Sequence, residues 1–306
     1  GTNNIGIGKD ALQGPSTGAS CSNNIAIGYE SMQNITTGGT NTTIGNYSMQ
    51  NMTTGARNTA VGYAALDNAS TSSDNTAVGY DALTQATTGH SNVAVGKDSL
   101  KVNTTGQENT AIGFDALTAL TTGSYNVVLG GKAADEVTTG SYNVAIGRSA
   151  LRAAQTVDGN VAIGASALER YTGASNTAVG TSALAFCTGG TGNTAVGIQA
   201  GYDVTTAVQG VYVGAYAGTN VTTGNNNVYM GYGAGLASTD GTPNVAIGVS
   251  AYSQATGGAD NVAIGANALL SCDGGAFYNT AVGAGAGYYI STGDYNIAIG
   301  RAADQV

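Results

Sequence analysis

The stretch Asn143-Val144-Ala145-Ile146-Gly147 returns as Asn160-Val161-Ala162-Ile163-Gly164 and again as Asn261-Val262-Ala263-Ile264-Gly265. Working outward from its last residue, an equivalent glycine stands at 8, 28, 45, 62, 79, 96, 113, 130, 147, 164, 180, 197, 214, 231, 248, 265, 283 and 300. From Gly28 to Gly265 each step is 17 residues, apart from one step of 16 between Gly164 and Gly180. Self-similarity at a short fixed period means stacked coils, each too small to bury a core alone. The expected fold is an all-β parallel β-solenoid, or β-roll, of about eighteen 17-residue coils, forming a single continuous repeat domain over 1–306.

With the recurring glycine as position 0, position −1 is Ile, Val, Leu or Met and position −3 is Ile, Val or Thr in all eighteen copies. β-Branched residues two apart are a strand signature, and their side chains leave the same face. The expectation is that these two ladders form the inner wall. Helix is excluded, because a coil with glycine at 0 and Thr-Thr-Gly near its end, as at Thr87-Thr88-Gly89, leaves no useful helical length. Ala or Ser follows at +3 in every copy, and Leu or Met at +4 in most, as in Ala82-Leu83 and Ala150-Leu151. Read as neighbouring strand residues, this pair presents apolar surface on both faces, one filling the coil and the other needing a partner.

Asparagine holds position −4 in seventeen copies, with Gly210 as the departure, and stacked amides can bond one another up the ladder. The Thr-Thr-Gly segments read as tight turns whose glycine supplies a positive φ. From Gly197 to Gly235 the usual Leu becomes Gly201, Gly218 and Gly235, while strand alanines become Tyr212 and Tyr229. If those ladders face each other, this exchange conserves core volume.

The repeats quoted above resemble the head repeats of trimeric autotransporter adhesins, which form a left-handed parallel β-roll in a trimer. The fuller unit, Asn75 to Leu83 followed by Thr87-Thr88-Gly89, is even more similar to repeats of phage tail fibres and related adhesive trimers. The resemblance spans essentially the whole chain, although the adhesin coils are slightly shorter than 17 residues. It implies a parallel homotrimeric fibre engaged in attachment, and no functional residue is carried over with it.

The rest of the sequence bounds what such a fibre does. A net charge of −9 with nine Lys and Arg spread along 306 residues excludes a phosphate-binding surface, so nucleic acid is not an expected partner. Cys21, Cys187 and Cys272 lack metal-ligand spacing and make no disulfide framework. No run approaches the ~18 apolar residues of a membrane span. The last repeat breaks off at Ala302-Ala303-Asp304-Gln305-Val306, so the chain reads as an excerpt of a longer polypeptide.

An enzyme needs convergent polar groups, and His90, the single histidine, has no nucleophile beside it in sequence. The expectation is no enzyme, no cofactor and no metal. Asp81, Asp98 and Asp115 share position +2 in three successive coils and should stack, with Lys97 and Lys101 close enough to relieve them. Rungs about 4.8 Å apart also approach the carboxyl spacing of retaining glycosidases, which keeps a glycan-degrading spike as an alternative.

Aromatic residues form the other contact set. Tyr29, Tyr63, Tyr80 and Phe114 follow the glycine directly, while Tyr125 and Tyr142 precede the asparagine, as do Tyr278 and Tyr295. Such rings either stack over backbone or meet a sugar. The leading expectation is therefore an extracellular trimeric shaft, on a virion tail fibre or a cell surface, presenting a tip to a glycan or protein receptor. The alternative class is ligand binding by the repeat itself, glycan or ice, the latter through the recurring Thr pairs.

Overall fold

The computed structural model describes residues 1–14, 20–272 and 275–304. It falls into two compact units, Gly1–Asp158 and Gly159–Val306. Among the described residues there is no helix and there are eighteen short strands, nine in each unit. The first unit runs from Ile5–Ile7 to Val144–Ile146, and the second from Val161–Ile163 to Ile297–Ile299. Within each unit consecutive strands pair in parallel and in register, so that Thr76, Val93 and Thr110 form one ladder and Ala77, Ala94 and Ala111 the next. The parallel β-solenoid of roughly 17-residue coils is thus the fold.

Burial follows two periods around a coil. Through the strand it alternates: Asn92 and Ala94 are buried, while Val93 and Val95 between and after them are only half-buried. Around the rest of the coil every third residue faces in, as with Leu83, Ala86, Gly89 and Asn92. The Val and Ile ladders at −3 and −1, expected as the inner wall, are therefore the outer wall. The reason lies in the pleat. Asn at −4 turns inward to join its own ladder, which forces −3 outward, Ala at −2 inward and −1 outward.

Two further expectations are corrected by the backbone. Ala and Leu at +3 and +4 are not successive strand residues with opposed side chains, since Ala82 and Leu83 are both fully buried in a turn. Left-handed residues at +2 and +4, such as Asp81 (φ 53°) and Leu83 (φ 52°), curl the chain so that both neighbours end inside. The glycine of Thr-Thr-Gly is not left-handed either. It is required by close approach: a Cβ on Gly89 would lie 2.5 Å from the carbonyl oxygen of Gly106 in the next coil.

The interior holds a ladder that the repeat consensus does not advertise. Position +7 is buried in every described coil that has it, yet it is filled by residues as different as Met52, Ala86, Asn103, Leu120, Tyr171, Cys187, Ser238 and Cys272. Cys187 and Cys272 are thus core-filling residues, and burial pushes the Cys187 thiol up to about 11. Cys21 is half-buried.

The amide ladder is present and continuous through the coils around Asn92. Its backbone N–H and its Nδ2 donate to Asn75 Oδ1 at 2.9 and 3.2 Å, and Nδ2 also donates to the Gly106 carbonyl at 2.9 Å. Asn109 repeats the pattern one coil on, donating to Asn92 Oδ1 and to the Gly123 carbonyl. Each buried amide therefore satisfies two otherwise orphaned backbone groups, an N–H and a carbonyl.

The volume exchange between 197 and 235 also holds. A Cβ on Gly218 would meet the Tyr212 ring at 2.4 Å, and one on Gly235 would meet the Tyr229 ring at 2.3 Å. The buried tyrosines occupy the space that Leu fills elsewhere. Gly210 belongs to the same adjustment, because a Cβ there would lie 2.3 Å from the Tyr212 hydroxyl.

Candidate interaction surface

The outward strand face is a regular apolar feature that is partly exposed along the described strands. It carries Ile112, Leu129 and Ile146 in successive coils of the first unit, each at least 36% exposed, and Met230, Ile247 and Ile264 in the second. No position −3 or −1 carries a charge in any coil. Nine strands spaced by about 4.8 Å and three residues wide give each unit an apolar face on the order of 400 Å². This is about the size of the largest apolar patch on an ordinary monomer, a patch that is often functional.

One flank of that face is the ladder at +1, where the aromatic candidates stand. Tyr63 and Tyr80 stack with ring centres 5.1 Å apart and planes 9° from parallel. Lys97 Nζ then lies 5.9 Å from the Tyr80 ring centre and 5.3 Å from that of Phe114. Tyr29 joins the series through Tyr47, with edge-to-face contacts of 5.4 and 5.5 Å on its two sides. Tyr47 was not anticipated, because it stands at +2 behind Asn46; its spacing of 18 residues from Tyr29 and 16 from Tyr63 was the available signal. The Glu30 carboxylate, bonded to the Tyr29 phenol, pushes that group up to about 12.

On the other flank, at −5, Tyr125 and Tyr142 stack at 5.0 Å and Tyr278 and Tyr295 at 4.9 Å. Stacking along the coil direction uses ring faces against each other. What solvent meets at these pairs is mainly edges and hydroxyls, a packing arrangement more than a sugar platform.

The aspartates share one ladder position, and two of them, Asp81 and Asp98, are held by lysine. Lys101 Nζ reaches Asp81 at 3.0 Å and Asp98 at 2.8 Å, and Lys97 bonds Asp98 from its other side. Burial pushes the Asp98 carboxyl up, but hydrogen bonds from Lys101 and Lys97 outweigh it and leave its pKa below the usual value. A carboxyl so held is a poor general acid, since that role needs a raised pKa. Asp115 also acts on Lys97, whose pKa is raised chiefly by its hydrogen bond to Asp98. Among the described residues no group of three or more His, Cys, Asp or Glu could hold a metal ion, and no helix is long and apolar enough to cross a membrane.

The Thr pairs divide their roles. The first hydroxyl of each is turned to the next coil, as in Thr87 Oγ1 to the Thr104 carbonyl at 3.1 Å and Thr104 Oγ1 to that of Thr121 at 3.0 Å. The second, as in Thr88 and Thr105, is exposed. His90 is exposed, with its ring Nδ1 3.3 Å from the neighbouring Ser91 hydroxyl.

No protein-family model, curated protein or solved structure matches this chain. The interaction surface therefore stands on its own geometry. A charge-free, β-branched outer face flanked by stacked aromatics is chemically suited to covering by another apolar surface. At the edge of Asp and Lys, by contrast, Asp81 and Asp98 are already paired within the coil stack.

Proposed function

We propose that this chain is shaft material of an extracellular attachment fibre, in which copies of the chain lie side by side as a parallel homotrimer. The observation that carries the reading is the outward turn of the ladders at −3 and −1. A β-branched stripe continuous over the strands of each unit gains from burial at about 25 cal/mol for each Å² removed from water. Burial against identical copies suits a repeat, because every rung meets an equivalent rung. Internal closure supports the same reading. Main-chain pairing, the Asn ladder and the core at +4 and +7 are completed coil by coil, which gives stiffness and reach, and the work of such a shaft is to carry a receptor-binding or adhesive tip on a virion or cell surface.

Placing lysine on the strand face tests this directly. Val78→Lys together with Ile112→Lys puts charges two rungs, about 9.6 Å, apart, which limits their mutual repulsion within one chain. The double variant is expected to retain its strand spectrum while its mass in solution falls to that of a single chain of 30.0 kDa. Thr88→Lys, on an exposed turn edge, is expected to leave the mass unchanged. An unaltered mass in the double variant would remove the strand face from the contact.

A further inference from the structure

In the first unit the ladder at +1 carries a side chain in every coil but one, and the exception is Gly131. Nothing in the backbone asks for glycine there. Gly131 is not left-handed, and the only atom within 4 Å of a Cβ added to it is the Phe114 carbonyl oxygen at 3.9 Å. The absent side chain leaves a gap in an otherwise filled ladder.

The gap lies between Phe114 on the preceding rung and Arg148 on the following one. The register is fixed by the Lys132 N–H on the Phe114 carbonyl at 2.8 Å and the Ser149 N–H on the Gly131 carbonyl at 3.2 Å. Two rungs span about 9.6 Å, so the space is one ring thick. Phe114 is 47% exposed, and Lys97 covers it from the side of the coil before. The backbone register puts the gap at the same ladder position one rung beyond Phe114, opposite in chain direction to Lys97.

Two cations at this place are without a direct ion pair. Lys132 and Arg148 are exposed, and neither makes an ion pair or hydrogen bond with any described side chain. Arg57, Lys97, Lys101 and Arg152 are all paired with carboxylates. Of the acids nearby, Asp115 on the rung before Lys132 makes no ion pair among the described residues and acts only through space on Lys97, while Asp135 is engaged by Arg152, with a weaker influence from Lys132.

We infer that the Gly131 gap is a binding site for a carboxylated pyranose unit of a glycan. The apolar face of the sugar ring stacks on Phe114, and its carboxylate is taken by the Arg148 guanidinium, which presents paired donors, with Lys132 adding charge. A neutral sugar leaves both cations unused, and a bare inorganic anion leaves the Phe114 face unused. The combination of ring and carboxylate uses both. This goes beyond a spacer role and gives the shaft a ligand of its own.

The test is calorimetric titration of the whole chain with an oligosaccharide ending in glucuronic acid, alongside its glucose-ended counterpart. The acidic sugar is expected to bind saturably and at least about tenfold more tightly than the neutral one, the difference a lost charge-assisted contact makes. Gly131→Tyr completes the ladder and is expected to abolish binding while leaving the strand spectrum and the mass in solution unchanged. Arg148→Gln is expected to weaken it about tenfold. Thr181→Tyr, the same ladder position in the second unit, is expected to change nothing. Absence of saturable binding up to roughly 10 mM, equal affinity for both sugars, or undiminished binding by Gly131→Tyr would each overturn the site. Because none of these variants touches the strand face, such a failure leaves the shaft reading standing.

Discussion

Gly130→Ala is expected to unfold the coils around it, whereas Gly131→Ala, one residue on, is expected to leave stability almost unchanged. Gly130 has φ 146°, a region essentially closed to residues with a side chain, and holding one there costs on the order of 1–3 kcal/mol. The contact is worse than the dihedral. A Cβ at Gly130 would stand 2.4 Å from the Gly147 carbonyl oxygen and 2.6 Å from its carbon, both backbone atoms of the next coil and unable to retreat without breaking the ladder. Strain and clash together place the loss at roughly 3 kcal/mol or more. Because each coil contacts only its neighbours, the damage should be local. Hydrogen exchange read by mass spectrometry should show lost protection from about 113 to 147 and retained protection further away. Equal tolerance of alanine at both glycines would mean that the coil spacing is wrong.

The second large effect is expected at Asn109. Asn109→Leu removes the Oδ1 that accepts the Asn126 N–H at 3.0 Å and the Nδ2 that donates to the Gly123 carbonyl at 2.9 Å. Both groups belong to a buried ladder that water cannot reach. At about 1–3 kcal/mol for each stranded buried group, the variant should lose roughly 2–6 kcal/mol. Urea denaturation is expected to show an earlier midpoint, and the Asn126 amide should exchange faster than those of coils beyond its neighbours. Gly210 shows how the chain itself tolerates a missing amide: the Tyr212 ring fills the place, so a neutral effect of Asn109→Leu would argue that packing, and not the amide ladder, secures this side of the coil.

Strand position, period and parallel register could be read from spacing alone, because a glycine every 17 residues and β-branched residues at −3 and −1 leave few other arrangements. Inside and outside could not. Ala94 and Val95 are both apolar, and the decision between them rests on Asn92 turning in, which depends on hydrogen bonds to the coils before and after. The curl of each coil was equally hidden, since many of its left-handed positions are filled by residues with no such preference, among them Leu83, Leu100 and Tyr125. Position +7 escaped notice because a buried site that accepts Met52, Ala86 and Asn103 shows no consensus.

Of the surface candidates, the ring ladder Tyr29, Tyr63, Tyr80 and Phe114 was legible as a column, and the structure adds that Tyr47 and Lys97 complete it. Asp81 and Asp98 were legible as stacked carboxylates. Their sharing of Lys101 required the fold, which brings a lysine from position +5 of one coil to the +2 aspartates of two. The Gly131 gap is visible only once position +1 is known to be an outward ladder, for until then one more glycine among 49 carries no message.

The proposed covering of the outward ladders at −3 and −1 by other copies of the chain is open to direct test. Its most direct measurement is the mass of the purified chain in solution, by light scattering or sedimentation equilibrium at several concentrations. Three chains, each of 30.0 kDa, are the predicted result. A mass of 30.0 kDa that persists at the highest concentration would contradict the claim, and with it the assignment of the strand face as the contact between copies.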